Sequence, residues 1–204
     1  ENLISGSKDQ FNCFFVANER GPVLKRIEEG NIVCCVVQEM QSSLSPLNDL
    51  RALIRLFQLC QKIKPDLIHL HSAKAAMLGR IVATVLRIPV VYTVHGWGWR
   101  GMGRLKGSLI WAIEFILSKL HNTVFIAVAD FVAREAERVL KINPSRIHVV
   151  YNGIPDINYN TQDENRRLDR GDEYAMRIIM PARVCDAKDH VTLLMAFAKL
   201  DKKI

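Results

Sequence analysis

Histidines, a serine and a lysine follow one predicted strand, and these residue types suit the binding of a sugar attached to a phosphate. The segment HLHSAKA contains His69, His71, Ser72 and Lys74. The two histidines are separated by one residue, so both lie on the same side of a strand. An imidazole can hydrogen-bond a hydroxyl or share a proton near neutral pH. Ser72 can cap the helix that follows, where free N–H groups and an ammonium group favour an anion.

A second segment, TVHGWGWRGMGR, is more specific. His95 closes a predicted strand, and glycines follow at positions 96, 98, 101 and 103. Glycines allow another molecule to approach the backbone closely, and Trp97 and Trp99 offer flat faces suited to a sugar ring. The alternatives are a histidine satisfied in the core and tryptophans that pack in the interior or at a membrane. Together the two segments predict a sugar site at the ends of neighbouring strands.

The distribution of charge supports an anionic partner. The chain carries a net charge of +7, and residues 67–113 contain no Asp or Glu. Burial would remove both signs, so the loss of acids alone predicts a basic surface for a phosphate, a diphosphate or an anionic membrane. Chance combined with burial is the alternative. The basic residues of this stretch are Lys74, Arg80, Arg87, Arg100, Arg104 and Lys106.

The predicted helix 104–120 begins with the basic residues Arg104 and Lys106 and is apolar on more than one face. It is either a buried helix or an interfacial helix that rests on anionic lipid. We assign Trp99 and Arg100, which precede it, to the same membrane or acceptor-lipid contact. No apolar stretch approaches the length of about 18–20 residues that spans a bilayer.

The elements that position these segments alternate between short β-branched runs and amphipathic stretches. The runs are continuously apolar, which is typical of parallel strands covered on both faces. This alternation predicts an α/β fold with a Rossmann-like doubly wound parallel sheet. The predicted strands cover 11–17, 31–37, 66–71, 90–96, 123–129, 146–153 and 177–184. The predicted helices cover 21–30, 45–63, 74–87, 104–120, 131–141 and 190–200.

Polar residues 156–173 interrupt the alternation and predict a linker or a long surface loop. Residues 1–155 then form the first domain. Residues 174–204 form one more strand–helix unit, which is either an edge addition to the first sheet or the start of a second α/β domain. The composition, 49% hydrophobic and 24% charged, excludes a disordered or collagen-like chain. Five cysteines without a CxxC pair indicate reduced, buried thiols of a cytoplasmic protein. The ligand spacing of a zinc site and the aromatic–basic pattern of a nucleic-acid surface are both lacking.

The sequence resembles the family-4 retaining glycosyltransferases of the GT-B fold, especially bacterial enzymes of surface polysaccharide assembly. The segments that carry the resemblance are SPLNDLRALIRL, KPDLIHLHSAKAAMLGRIVATVLRIPVVYTVHGWGW, IAVADFVAREA, VVYNGIP and MPARVCDAKDHVTLLMAFAKL. The resemblance implies sugar transfer from a nucleotide diphosphate sugar to a lipid-linked glycan, with retention and without a metal or other cofactor. It also implies a cytoplasmic protein, peripheral at the inner face of the cell membrane.

The resemblance also implies roles for single residues. His95 lines the sugar pocket as the catalytic histidine, and Arg183 and Lys188 bind the donor diphosphate. The residues on the acceptor side are His71, Ser72, Lys74, Gly96 and Trp97. The family's first strand and glycine-rich loop are expected before Glu1, and its paired glutamates beyond Ile204. We therefore do not expect this chain alone to turn over.

Two other functions remain open at this point. A nucleotide-sugar epimerase of the same fold would need no acceptor. A non-catalytic module that binds anionic lipid or sugar phosphate would need no donor domain. Product analysis separates the first from a transferase, and the length of α/β pattern encoded downstream separates the second.

Overall fold

The structure is a computed structural model that describes residues 6, 9–41, 43, 45–100, 102–120, 122–153, 179–182 and 188–199. The strands are β1 (Phe14–Ala17), β2 (Val33–Val36), β3 (Ile68–His71), β4 (Val90–Val94), β5 (Thr123–Ala127) and β6 (Ile147–Val149). The α-helices are α1 (Pro22–Glu29), α2 (Pro46–Ile63), α3 (Ala73–Leu86), α4 (Arg104–Ser118), α5 (Asp130–Arg138) and α6 (His190–Ala198). A short 3-10 helix, Pro144–Arg146, precedes β6.

Each strand and α-helix lies within three residues of its predicted bounds, except that β6 ends four residues before its predicted end at residue 153. Local sequence explains where the helices start and stop. Pro46 opens α2 at a position where the missing amide proton costs nothing. The helix ends at Lys64, which has a φ of 53° and stands before a proline. The predicted strand 177–184 lies largely outside the described residues.

All described strand pairs are parallel, and they form two sheets. One sheet pairs β1 with β2, and the other has the order β3-β4-β5-β6. The sequence predicts one sheet. The described strands form two sheets instead, because neither β1 nor β2 pairs with a strand of the larger sheet. Within the larger sheet His71 is level with Thr93, and Thr93 is level with Ile126. The carboxyl ends of β3 and β4 therefore lie next to each other.

The main core lies between the larger sheet and its helices. It is built from side chains of β3, β4, β5, α3 and α5, with Phe125 and Leu140 almost completely buried. A second cluster of Val37, Ala52 and Leu78 joins the end of β2 to α2 and α3. Gly79 allows α3 to approach β3 closely, because a Cβ there would lie 2.5 Å from Leu70 Cδ2. The helix that follows β3 is thus held tightly against the strand that carries the histidines.

Two compact units divide the chain, Glu1–Tyr151 and Asn152–Ile204. The predicted linker 156–173 lies outside the described residues, so the predicted domain bounds stay a prediction. Cys13, Cys34, Cys35 and Cys60 are free thiols that are only partly buried, whereas the sequence predicted buried ones. Burial raises the pKa of the Cys60 thiol.

Candidate functional site

Three histidines meet at the carboxyl ends of β3 and β4, and we call them the histidine cluster: His69, His71 and His95. The rings of His69 and His71 have centroids 4.4 Å apart, as expected for residues on one side of a strand. The His71 and His95 rings are stacked with centroids 5.6 Å apart, and Nδ1 of His71 lies 3.3 Å from Nε2 of His95. The parallel pairing of the two strands therefore brings the two predicted site histidines into hydrogen-bond contact.

The inner edge of the cluster is fixed by Thr93. Its hydroxyl lies 2.8 Å from Nε2 of His69, and the residue is almost buried in β4. Sequence reasoning missed Thr93 as a member of the site. No signal in the sequence singles it out, because the apolar pattern leaves the register of the two strands open.

The cluster disfavours extra positive charge. Partial burial, followed by the neighbouring His69 and His95 rings, lowers the pKa of His71 to about 4. Burial also lowers the pKa of His69. Both rings keep part of their surface open to solvent, so they can contact a ligand while they remain neutral at physiological pH.

Ser72 turns the chain from β3 into α3 in a strained conformation. Its φ of 73° and ψ of 149° lie near a region that only glycine occupies readily. Its Oγ accepts a hydrogen bond from the Ala75 amide, with a distance of 3.4 Å, so the predicted cap is present. Gly98 packs against this turn, since a Cβ on Gly98 would lie 3.2 Å from the Cβ of Ala73. The two predicted segments thus touch at the start of α3.

Lys74 does not offer a free cation beside Ser72, which is what the sequence analysis expected. Its Nζ donates to both carboxylate oxygens of Asp49, over 2.6 and 2.8 Å, and both side chains are largely buried. The pair joins the first turn of α3 to the first turn of α2. Sequence reasoning missed Asp49, because nothing in the pattern links two residues that stand 25 positions apart.

Trp97 is a core residue rather than an open face for a sugar. It is 5% exposed, and its Nε1 donates to the Val132 carbonyl over 3.1 Å. Trp99 stacks on it with ring centroids 4.9 Å apart and is partly buried. Gly96, between His95 and Trp97, is exposed and has open space where a side chain would stand. Within the described part of the aromatic segment, Gly96 leaves room for a ligand beside His95.

The predicted membrane-contact residues fall into two groups. The Arg100 guanidinium donates to Oε1 of Glu135, through Nε over 2.7 Å, and lies over the Phe131 ring. Arg104 and Lys106, at the start of α4, are exposed, and no described residue forms an ion pair with them. Among the described residues, no helix is both long enough and apolar enough to cross a bilayer.

The predicted diphosphate clamp is only half described. Lys188 is exposed and stands two residues before α6, whereas Arg183 lies outside the described residues. Asp189 caps α6 by accepting from the Thr192 amide over 3.2 Å. In the described part of the chain, no group of three or more His, Cys, Asp or Glu side chains is arranged to hold a metal ion.

Comparisons with known proteins give this geometry a family context. The sequence model described as Glycosyltransferase Family 4 matches residues 6–156. The chain is 29% identical over 147 residues to an Escherichia coli protein named UDP-Gal:alpha-D-GlcNAc-diphosphoundecaprenol alpha-1,3-galactosyltransferase. That match covers 72% of this chain and 38% of the relative, so the chain spans well under half of the relative's length.

Solved structures show the same fold. Anabaena Alr3699/HepE in complex with UDP-glucose matches with a TM-score of 0.67 and 16% identity, over 99% of this chain and 53% of that chain. A glycosyltransferase from Rickettsia africae matches with a TM-score of 0.59 and 18% identity, over 94% of this chain and 50% of that chain. These likenesses confirm the α/β fold of GT-B glycosyltransferases that the sequence predicted.

Proposed function

The chain belongs to glycosyltransferase family 4, and on this basis we propose that the protein transfers a sugar from a nucleotide diphosphate sugar to a lipid-linked glycan. The observation that carries the proposal is the contact between His71 and His95 at neighbouring strand ends. It lies within the matched range, and ligands of open parallel sheets bind at the carboxyl ends of the strands. Transfer with retention and a role in surface polysaccharide assembly are part of the proposal.

His95 is the residue that we assign to the transferred sugar. Its ring is exposed beside Gly96, where no side chain obstructs the approach of a ligand. A histidine hydrogen bond to a sugar hydroxyl orients the anomeric carbon, and such orientation lowers the entropy cost of the reaction. Arg183 and Lys188 would neutralise the departing diphosphate, which removes the need for a divalent metal.

The relatives support the substrate classes. The Escherichia coli relative is named for a UDP-sugar donor and a diphosphoundecaprenol-linked acceptor, and the Anabaena structure was solved with UDP-glucose. We therefore propose a UDP-sugar as donor and a polyprenyl-diphosphate-linked glycan as acceptor.

A peripheral membrane contact belongs to the same proposal, and the outer face of α4 is its best candidate. Leu105, Leu109 and Ile116 are 90%, 53% and 66% exposed, and their spacing places them on one face of the helix. Arg104 and Lys106 flank that face with positive charge, whereas Glu114 is turned inward. Apolar residues beside basic ones are typical of helices that lie on anionic lipid.

The decisive experiment uses the protein expressed from its complete gene, with labelled UDP-galactose or UDP-glucose and a GlcNAc-diphosphoundecaprenol acceptor. We expect transfer with retained anomeric configuration, undiminished by a chelator. His95→Ala should lower kcat by about a hundredfold, the size expected when the reacting sugar is no longer held in position. Arg183→Ala with Lys188→Ala should lower it similarly. The matched controls are His148→Ala on β6 and Lys62→Ala on α2, both exposed.

Three results would contradict the proposal. Full transfer by His95→Ala would remove the role of His95. Conversion of the UDP-sugar without an acceptor would favour the epimerase, and UDP-sugar binding without any turnover would favour the binding module.

The membrane contact is tested separately by co-sedimentation with phosphatidylglycerol vesicles. Leu109→Glu should abolish binding, whereas the control Val85→Glu, also on an exposed apolar residue, should not.

A further inference from the structure

The hydrogen bond between His71 and His95 occupies one of the two ring nitrogens of His95. Nε2 of His95 lies 3.3 Å from Nδ1 of His71. No described residue contacts Nδ1 of His95, which leaves this nitrogen open. A ligand that reaches the exposed ring of His95 therefore meets Nδ1.

The ring of His71 is held in place from both sides. On one side the His69 ring lies against it, with centroids 4.4 Å apart, and His69 is itself fixed by the Thr93 hydroxyl. On the other side the His95 ring stacks on it, with centroids 5.6 Å apart. The orientation of the His71 ring is thus set by its neighbours on the two strands.

We propose that His71 is a positioning residue that couples the tautomer of His95 to its own through this hydrogen bond, so that the state of Nδ1 of His95 that meets the sugar depends on His71. The inference deepens the proposed function and rests on it for the identity of the ligand. It differs from the acceptor-side role that the resemblance implied for His71.

A hydrogen bond between the two rings requires a single proton between Nδ1 of His71 and Nε2 of His95. Two N–H groups facing each other over 3.3 Å would repel, and two lone pairs would leave the contact unsatisfied. If His71 donates from Nδ1, neutral His95 must carry its proton on Nδ1 and donates to the sugar. If His95 donates from Nε2, neutral His95 accepts from the sugar at Nδ1. The pKa of His71, lowered to about 4 by burial and the adjacent imidazoles, keeps His71 neutral in either case at pH 7.5.

The test measures the tautomer of His95 directly, by NMR of ring nitrogens in the ¹⁵N-histidine-labelled chain at pH 7.5. We expect one dominant tautomer in the wild type. His71→Ala should return His95 to the mixed tautomers of a free imidazole. His71→Asn should keep the hydrogen bond, and with it a tautomer ratio that differs from that of a free imidazole, because its amide stands where Nδ1 stood. His71→Gln should lose this effect because its amide stands at the place of Nε2. His148→Ala, on an exposed residue of β6, is the control.

The effect on transfer is measured with the protein expressed from its complete gene. Loss of one hydrogen bond predicts a fall in kcat of about three- to tenfold for His71→Ala, with the KM of the donor changed less and with recovery in His71→Asn. An unchanged His95 tautomer in both His71→Ala and His71→Gln would overturn the inference. If the tautomer responds as expected but the wild type transfers no sugar, the proposed function fails and the tautomer coupling stands. If His71→Ala does not fold, the comparison of the Asn and Gln variants decides.

Discussion

Acidification should destabilise the wild-type protein more than the variant His71→Asn, which keeps the hydrogen bond to His95 but cannot be protonated. The pKa of His71 lies at about 4 in the folded protein, against a reference value of 6.5. Between these two values the unfolded chain binds a proton that the folded protein excludes. The free energy of unfolding therefore falls as the pH drops from 6.5 towards 4, and the contribution of His71 is fully present only above 6.5.

The size of the effect follows from the same two values. For a group that titrates at 6.5 when unfolded and at about 4 when folded, the loss at pH 5.0 is about 2 kcal/mol relative to pH 7.5. The His71 ring is exposed on one side, and solvent screening reduces the effect of charge there. We therefore expect the wild type to lose about 1 kcal/mol more than His71→Asn between pH 7.5 and pH 5.0.

The assay is urea denaturation of both proteins at pH 7.5, 6.0 and 5.0, followed by circular dichroism. Titrating groups away from the histidine cluster shift both proteins equally, so the difference between their unfolding free energies reports His71 together with its effect on His69 and His95. The variant His148→Asn serves as control, because this histidine is exposed on β6. A constant difference between wild type and His71→Asn across the three pH values would refute the reasoning, as would a difference that grows in favour of the wild type.

Three further predictions concern stability and are checked by denaturation at pH 7.5. In the wild type the Arg80 guanidinium lies 2.7 Å from the Glu114 carboxylate, and Arg80→Met leaves this carboxylate buried without its partner. The variant should lower the free energy of unfolding by about 3–5 kcal/mol, more than the double variant Arg80→Met with Glu114→Leu. Ser72→Gly relieves strained backbone and should stabilise by about 1 kcal/mol, whereas Ser72→Ala keeps the strain, loses the cap and should destabilise by about 1 kcal/mol. Gly79→Ala drives a Cβ to within 2.5 Å of a buried leucine and should cost about 1–3 kcal/mol, whereas Gly96→Ala meets open space and should be neutral. Equal effects within any of the three pairs would contradict the structural reason given for that pair.

The elements were predictable from the sequence because their signals are local. A run of β-branched residues predicts strands such as 90–96. Apolar residues at helical spacing and a proline at the start predict helices such as 45–63. The contact of His71 with His95 was also predictable, since residues that close neighbouring parallel strands meet at one edge. The hydrogen bond between Thr93 and His69 depends on strand register, which the apolar pattern alone leaves open.

The aromatic segment was harder to interpret, because a tryptophan suits both a sugar face and a core. Trp97 is buried against α5, where the Val132 carbonyl accepts a hydrogen bond from its indole N–H. Val132 stands 35 positions further along the chain. Such long-range partners leave no mark on local periodicity. The same limit applies to the split of the described strands into two sheets, because pairing partners are set by the whole fold.

The acid-free stretch 67–113 shows how a charge count along the chain differs from a charge map in space. Three of its six cations are neutralised by acids from outside the stretch. These pairs are Lys74 with Asp49, Arg80 with Glu114, and Arg100 with Glu135. Half of the positive charge of this stretch is therefore used in ion pairs that join its side chains to α2, α4 and α5.

The other three cations, Arg87, Arg104 and Lys106, are exposed and are not next to the histidine cluster in sequence. Two of them stand at the start of α4, beside the apolar face of that helix. This placement is the basis of the proposed contact of α4 with lipid headgroups. The proposed sugar site at the ends of β3 and β4 instead presents imidazoles, and the lowered pKa values of His69 and His71 suit hydroxyl groups better than phosphate. Under the proposed function, charge for the donor diphosphate comes from residues other than Lys74, which makes Arg183 and Lys188 the positions to test in the transfer assay.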